Sequence, residues 1–272
     1  MAAVQHLDSP CLVLAGAGSG KTRVITHRIV HLLDQKEAWP EQILAVTFTN
    51  KAASEMRGRI EQLITAPIRS MWVGTFHGIA HRMLRLHWKQ AGLPQNFQIL
   101  DADDQLRLVK RTLKALDMSD EQWPPRAVTG WINAQKEEAR RPRDLADLGD
   151  YTQRQYLRAY TAYEASCQQS GLVDFAELLL RAYELTRDDE QIQAHYRRRF
   201  RHILVDEFQD TNTLQYAWLR TLAGDSIYAQ DKEIAEMLDM PRATVNTRLF
   251  RARQQLRALM EDAERATNGG PR

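Results

Sequence analysis

The segment "AGAGSGKT" at residues 15–22 sets a glycine-rich backbone directly before a lysine and a threonine. Gly16, Gly18 and Gly20 let the main chain approach an anion closely and aim N–H groups at it, and a helix opening there adds the partial positive charge of its N-terminus. In such a loop Ala15, Gly16, Ala17, Gly18, Ser19 and Gly20 line a phosphate cradle. Lys21 then reaches the β- and γ-phosphates of a nucleoside triphosphate, and the Thr22 hydroxyl ligates Mg²⁺. The usual pattern begins with glycine, where this chain has Ala15. A glycine-rich turn with a chance Lys-Thr pair is the bland alternative. The context opposes it, because the apolar run "CLVL" precedes the loop and Val24, Ile25, Ile29, Leu32 and Leu33 follow at helical spacing.

Such a site needs a carboxylate pair at the end of an apolar strand, and "ILVDEFQD" at 203–210 supplies one. Asp206 would hold Mg²⁺ through water and Glu207 would polarise the attacking water. Acidic residues also follow strands at ordinary turns, so the pair gains its meaning from the phosphate loop upstream.

The elements that must position these groups show in the periodicity. Apolar, β-rich runs at 43–49, 71–78 and 202–210 join the run before the loop as four strands, with helices after the loop, from about Asn50 and from about Ile79. Buried-type strands alternating with helices predict an α/β fold, a parallel sheet covered on both faces. Residues 88–200 carry helical spacing instead, in Leu106, Val109, Leu113 and Leu116 and again in Tyr156, Tyr160 and Tyr163. Turn signals at "GLPQN", "WPPR" and "RRPRD" punctuate them. This segment is expected to be an all-helical insertion.

Past Gly224 the character changes. "DKEIAEMLDMPRATVNTRLFRARQQLRALM" (231–260) reads as a short amphipathic helix, a turn at "DMP" and a second helix with a basic face, a helix-turn-helix pattern. A solvated basic surface helix is the plain alternative. The stretch "DSIYAQ" at 225–230 reads as a seam between two kinds of sequence.

Composition narrows the rest. In 272 residues, 37 Lys+Arg stand against 35 Asp+Glu, so net charge does not argue for nucleic acid and any such case rests on local patches. The two cysteines have no metal-ligand spacing and are expected to be buried thiols in a reducing compartment. No apolar stretch approaches a membrane span and no basic-then-apolar leader follows Met1, so a soluble cytoplasmic protein without a membrane partner is expected.

Five segments carry a family resemblance: "LAGAGSGKT", "AVTFTNKAASEMRGRI", "WVGTFHGIAHRML", "LVDFAELLLRA" and "ILVDEFQDTN". Together, and in this order, they resemble the amino-terminal part of UvrD/Rep-type superfamily-1 DNA helicases, from about residue 4 to Gly224. The resemblance implies a RecA-like P-loop domain binding ATP and Mg²⁺, built from 1–87 and 201–225, with 88–200 inserted as a helical subdomain. It implies that Thr47, Phe48, Thr49 and Asn50, with Thr75, Phe76 and His77, touch single-stranded DNA. It also implies that Gln209 couples the γ-phosphate to DNA and that Arg23 lies beside the nucleotide. Read without the family, Phe48 and Phe76 are core residues; read with it, they stack bases.

Three parts of the family pattern are not matched: the glutamine segment that reads adenine, the strand after Gly224, and the second RecA-like domain with its arginines. A RecA-like sheet lacking that strand is incomplete, and unwinding by this chain alone is not expected. The segment 226–262 resembles the last DNA-binding region of extracytoplasmic-function sigma factors. That implies duplex contacts by Arg242, Thr244, Asn246, Thr247 and Arg248, and contacts to phosphate or RNA polymerase by Arg251 and Arg253. Residues 263–272 are expected to be a disordered tail. Two function classes follow: an ATP-dependent helicase fragment binding ATP–Mg²⁺ and single-stranded DNA, or a non-enzymatic DNA-binding protein acting through the helix-turn-helix.

Overall fold

The computed structural model describes residues 2–6, 11, 13, 20–64, 67–145 and 150–224. The loop residues Ala15, Gly16, Ala17, Gly18 and Ser19, the side chain of Gln209, and everything from 225 onward lie outside the described residues. Of the run expected as a strand before the loop only Cys11 and Val13 are described, neither of them in a strand, and with the C-terminal segment go Arg242, Thr244, Asn246, Thr247, Arg248, Arg251 and Arg253.

The chain begins with α1 (Ala2–Gln5), α2 (Lys21–Asp34), β1 (Ile43–Thr47), α3 (Asn50–Leu63), β2 (Trp72–Thr75) and α4 (Phe76–Leu86). There follow β3 (Gln98–Ile99), α5 (Ala102–Ala115), α6 (Pro125–Glu137), α7 (Tyr151–Ser170), β4 (Leu172–Val173), α8 (Phe175–Asp188) and α9 (Glu190–Arg199). The described part closes with β5 (His202–Val205) and α10 (Thr213–Ala223).

Three strands form a parallel sheet in the order β2-β1-β5. Thr47 lies opposite Thr75 and Val46 opposite both Gly74 and Val205, so all three strands end at one edge. Every residue of β1 is buried, which its unbroken apolar run "ILAV" anticipates for a strand covered twice. Successive side chains point to opposite faces. Leu44, Val46 and Trp72 therefore enter a cluster with α4, α8, α9 and α10, while Ile43, Ala45, Val73 and Leu204 pack with Ile29, Leu32, Met56 and Ile60 of α2 and α3.

Two strands are shorter than their β-rich composition suggested. The run 43–49 stops at Thr47 because Thr49 caps α3, its hydroxyl accepting from Ala52 N at 3.1 Å. The run 71–78 stops at Thr75, which caps α4 by accepting from Gly78 N at 3.1 Å, so Phe76 and His77 are helical and α4 starts before Ile79. Threonine at an N-cap satisfies helix N–H groups that β propensity ignores. Likewise 202–210 is strand only to Val205, after which Asp206 and Glu207 turn the chain.

The 88–200 segment is helical with one correction. Gln98–Ile99 and Leu172–Val173 pair as a short parallel ladder, too brief for alternation to register in sequence. Gly171 makes the pairing possible: its φ is +64, and a Cβ there would sit 2.7 Å from Pro94 Cγ. The segment also divides in its packing. A cluster including Val109, Leu113, Val128, Ile132, Tyr160 and Tyr163 unites α5, α6 and α7, whereas α8 and α9 share the core of the sheet through Leu178, Leu179, Ile192 and Tyr196. Of the two cysteines expected to be buried, Cys167 is, but Cys11 is exposed and belongs to none of the three apolar clusters. No helix among the described residues is long and apolar enough to cross a membrane.

Candidate functional site

The site lies where β5 ends and α2 begins. Gly20 precedes α2 with φ +88, a left-handed conformation that costs glycine little and any other residue more. The turn places Lys21 and Thr22 on the first turn of α2, where helix N–H groups have no acceptor within the helix itself. From the other side, Asp206 continues the β5 ladder, its N–H donating to Val46 O at 2.9 Å.

The two motifs meet across 184 residues of chain. Thr22 Oγ1 donates to Asp206 Oδ2 at 3.0 Å, and Lys21 Nζ lies 3.3 Å from Glu207 Oε2. Asp206 is buried, while Glu207 is partly exposed with φ +49, a conformation that swings its carboxylate away from the strand direction and toward Lys21. Arg23, one residue further along α2, is exposed, and its Nε donates to His27 Nε2 at 3.3 Å.

These groups fit ATP with Mg²⁺. A hydroxyl and a carboxylate oxygen 3.0 Å apart are hard donors of the kind Mg²⁺ takes, and that ion uses one or two protein oxygens together with substrate phosphates. The lysine and the helix N-terminus supply the positive side of a polyphosphate site. No group of three or more His, Cys, Asp or Glu that could hold a metal by itself occurs among the described residues.

A second constellation occupies the same sheet edge. Since Thr47 is opposite Thr75, the turns into α3 and α4 lie side by side, about 4.8 Å apart at the strands. Thr49 and Asn50 are exposed, Phe48 is half-buried and Thr47 is buried. Phe48 and Phe76 contact each other with ring centroids 5.4 Å apart, but they differ in access. Phe76 is 1% exposed within the core, so its ring offers no face to a base, and the expectation that it stacks DNA is corrected to a floor beneath Phe48. Thr75 Oγ1 accepts the α4 cap bond from Gly78 N, which leaves its O–H able to donate. His77 is half-buried, and burial lowers its pKa, which favours the neutral ring at pH 7.

One aromatic on this face escaped the sequence reading. Phe175, the first residue of α8, packs edge-on against His77 with centroids 5.9 Å apart and is 53% exposed. It sits in the quoted run "LVDFAELLLRA", yet no spacing rule connects it to His77.

What holds Phe175 in place is a buried ionic cluster. Asp174 caps α8, with Oδ1 accepting from Glu177 N at 2.7 Å and Oδ2 from Lys136 Nζ at 2.6 Å and Tyr163 OH at 2.7 Å. Glu177 Oε2 lies 2.9 Å from Lys136 Nζ and 2.9 Å from Arg141 Nη1, while Arg181 Nε donates to Glu177 Oε1 at 2.6 Å. Arg141 also engages Glu184 through two bonds, and Glu164. Burial opposes the charge of Glu177, but Lys136, Arg141 and Arg181 prevail and hold its carboxyl well below the usual range.

Comparison with known proteins decides the lineage. The UvrD/REP helicase N-terminal domain family matches residues 1–237. The chain belongs to the UvrD/REP helicase family. DNA helicase II of Escherichia coli (strain K12) is 57% identical over 224 residues, covering 82% of this chain and 31% of that protein. DNA helicase II of Haemophilus influenzae is 52% identical over 217 residues, 78% of this chain and 30% of the relative. The ATP-dependent DNA helicase PcrA of Leuconostoc citreum is 43% identical over 223 residues, 81% of this chain and 30% of its own length. This UvrD/REP chain thus spans about a third of the relatives it matches. A second family, Sigma-70 region 4, matches only residues 232–256, overlapping the end of the helicase match.

Proposed function

We propose that this chain is the ATP- and single-strand-binding part of a DNA helicase, with the nucleotide and the DNA held at neighbouring points of one sheet edge. The observation that carries the reading is the meeting of Lys21 and Thr22 with Glu207 and Asp206. A triphosphate entering at the N-terminus of α2 draws Lys21 onto its phosphate oxygens and away from Glu207. The released carboxylate then orients the attacking water and accepts its proton. Asp206 and Thr22 hold Mg²⁺, which supplies charge neutralisation at the phosphates when bound. The loop residues Ala15 to Ser19 wrap the phosphates, Arg23 lies at the nucleotide's flank, and Gln209 links the γ-phosphate to the DNA face.

On that face Phe48 and Phe175 stack bases, while Thr49, Asn50, Thr75 and His77 contact the backbone. The strand-end register makes this a coupled pair of sites. Asp206 follows Val205 and Phe48 follows Thr47 on adjacent strands, so a shift of β5 against β1 on nucleotide binding is felt at Phe48. Unwinding itself is proposed for the family's full-length machinery, of which this chain spans about a third.

The alternative, a non-enzymatic DNA-binding protein acting through 226–262, has no described residue behind it, and its family match is short. Contacts with duplex DNA or RNA polymerase belong to that reading alone.

Thermal unfolding with and without millimolar Mg-ATP tests the proposal. A ligand at 100 times its Kd stabilises the folded form by about 2.7 kcal/mol. The unmutated chain should gain that shift and Lys21→Ala should lose it; equal shifts in both would place ATP elsewhere.

A further inference from the structure

Three arginines converge on the outer edge of β2, the end strand of the described sheet. Arg57 comes from α3 on one side of the sheet, Arg82 from α4 on the other, and Arg199 from the end of α9. Arg57 Nη2 donates to Val73 O at 2.7 Å. The Cζ of Arg82 lies 4.2 Å from the centroid of the Trp72 ring, and that of Arg199 lies 5.4 Å from it.

Arg57 and Arg82 are exposed and Arg199 is half-buried, and their electrostatics are unlike those of the guanidiniums in the ionic cluster around Glu177. Arg141 and Arg181 are matched by Glu164, Glu177 and Glu184. Among the described residues, no carboxylate forms an ion pair with Arg57, Arg82 or Arg199. Arg199 Nε is buried with no hydrogen-bond partner. Burial pushes the Arg82 guanidinium below the usual arginine range, and the charges of Arg199 and Arg57 push it further, opposed only by Tyr196. Cations gathered without an ion-pair partner repel one another, and an anion among them relieves that repulsion.

We propose that Arg57, Arg82 and Arg199 form a phosphate-binding site at the β2 edge, which takes the backbone of the single strand beyond the Phe48–His77–Phe175 face. Trp72 stands three residues before Thr75 on the same strand, which puts the cluster about 10 Å from that face. That is roughly three nucleotides at the ~3.4 Å rise of a B-form strand. Arginine is the side chain suited to a phosphate's planar, two-pronged contact, and its stacking on Trp72 pre-orders the guanidinium. The proposal rests on the single-strand reading above, and the experiment separates the two.

Binding of oligothymidylates of about 6 and about 16 nucleotides, within the range one such surface covers, is followed by fluorescence anisotropy across salt concentrations. The intact chain is compared with Arg82→Gln, Arg199→Gln and Arg82→Lys. Each lost phosphate contact makes the log–log salt slope shallower by about 0.7. The expected result is that loss for both glutamine variants on the longer oligonucleotide only, with Arg82→Lys close to the intact chain. Unchanged slopes on the longer oligonucleotide overturn the site and leave the single-strand reading standing. Equal weakening of both lengths by all three variants, without a slope change, means the arginines only support the fold, and also overturns it. No binding of either length by the intact chain overturns the single-strand reading and the site together. Binding of polyglutamate that Arg82→Gln abolishes, beside unchanged DNA slopes, overturns the phosphate in favour of an acidic protein segment.

Discussion

Phe48 and Phe76 touch each other and follow strands in the same way, but solvent reaches only one of them. Residue type therefore does not separate a base-stacking ring from a core ring; accessibility does. Phe48→Ala and Phe175→Ala should each weaken oligothymidylate binding by about 1–3 kcal/mol, the usual cost of one lost stacking partner. Phe76→Ala should instead cost about 3–5 kcal/mol of folding stability, measured by chemical denaturation, because it empties a core site. If Phe76→Ala left the denaturation midpoint unchanged, the floor assigned to it would be wrong. At the nucleotide end, Gly20→Ala forces a side chain into φ +88 and should cost about 1–2 kcal/mol. The same variant should blunt stabilisation by Mg-ATP, since Lys21 and Thr22 follow directly. Motif spacing pointed to Lys21, Thr22, Asp206 and Glu207 because their chemistry is local to short segments. Phe175 was not legible, since its role comes from a ring 98 positions away in sequence, the difference between 175 and 77.

Helices α6, α7 and α8 are joined by charge as well as by apolar packing. Lys136 is 1% exposed between Asp174 and Glu177, so removing it strands two carboxylates in a dry interior. Lys136→Met should cost about 3–5 kcal/mol, read from the denaturation midpoint. A loss below about 1 kcal/mol would mean that water screens the cluster. The pH response of these groups has a definite sign. Glu177 is held below its ordinary value of 4.5, so its contribution is present above that pH and is lost only on further acidification. Lys136 is raised above 10.5, so its contribution is present below that pH and is lost as pH climbs past it. Between those limits the cluster is pH-independent. In sequence these residues look like ordinary surface charges on amphipathic helices, because the pattern tells which face is apolar and not which polar residue the fold encloses.

At the scale of the whole molecule, four histidines are shifted the same way. Burial is the first cause for His77, His81, His87 and His202, whose pKa values all lie below the ordinary 6.5. As pH falls below about 6.5 the unfolded chain takes up these protons before the folded one, so stability drops through the folded values. Melting temperature should therefore decline between pH 7.5 and 5.5, where the Lys136–Glu177 cluster contributes no slope; a flat profile would contradict these shifts. The parallel α/β arrangement and the helicase lineage were legible in the sequence alone, as were the segments proposed here to hold phosphate and metal. Strand runs, helix periods and motifs are short-range patterns that survive without knowledge of neighbours. Only the tertiary structure decided that Thr22 meets Asp206, that Phe76 is closed to solvent while Phe175 is open, and that three arginines share one strand edge with no ion pair to a carboxylate among the described residues. Each of these depends on register and packing between segments far apart in the chain, where burial and distance, rather than residue type, set the interaction.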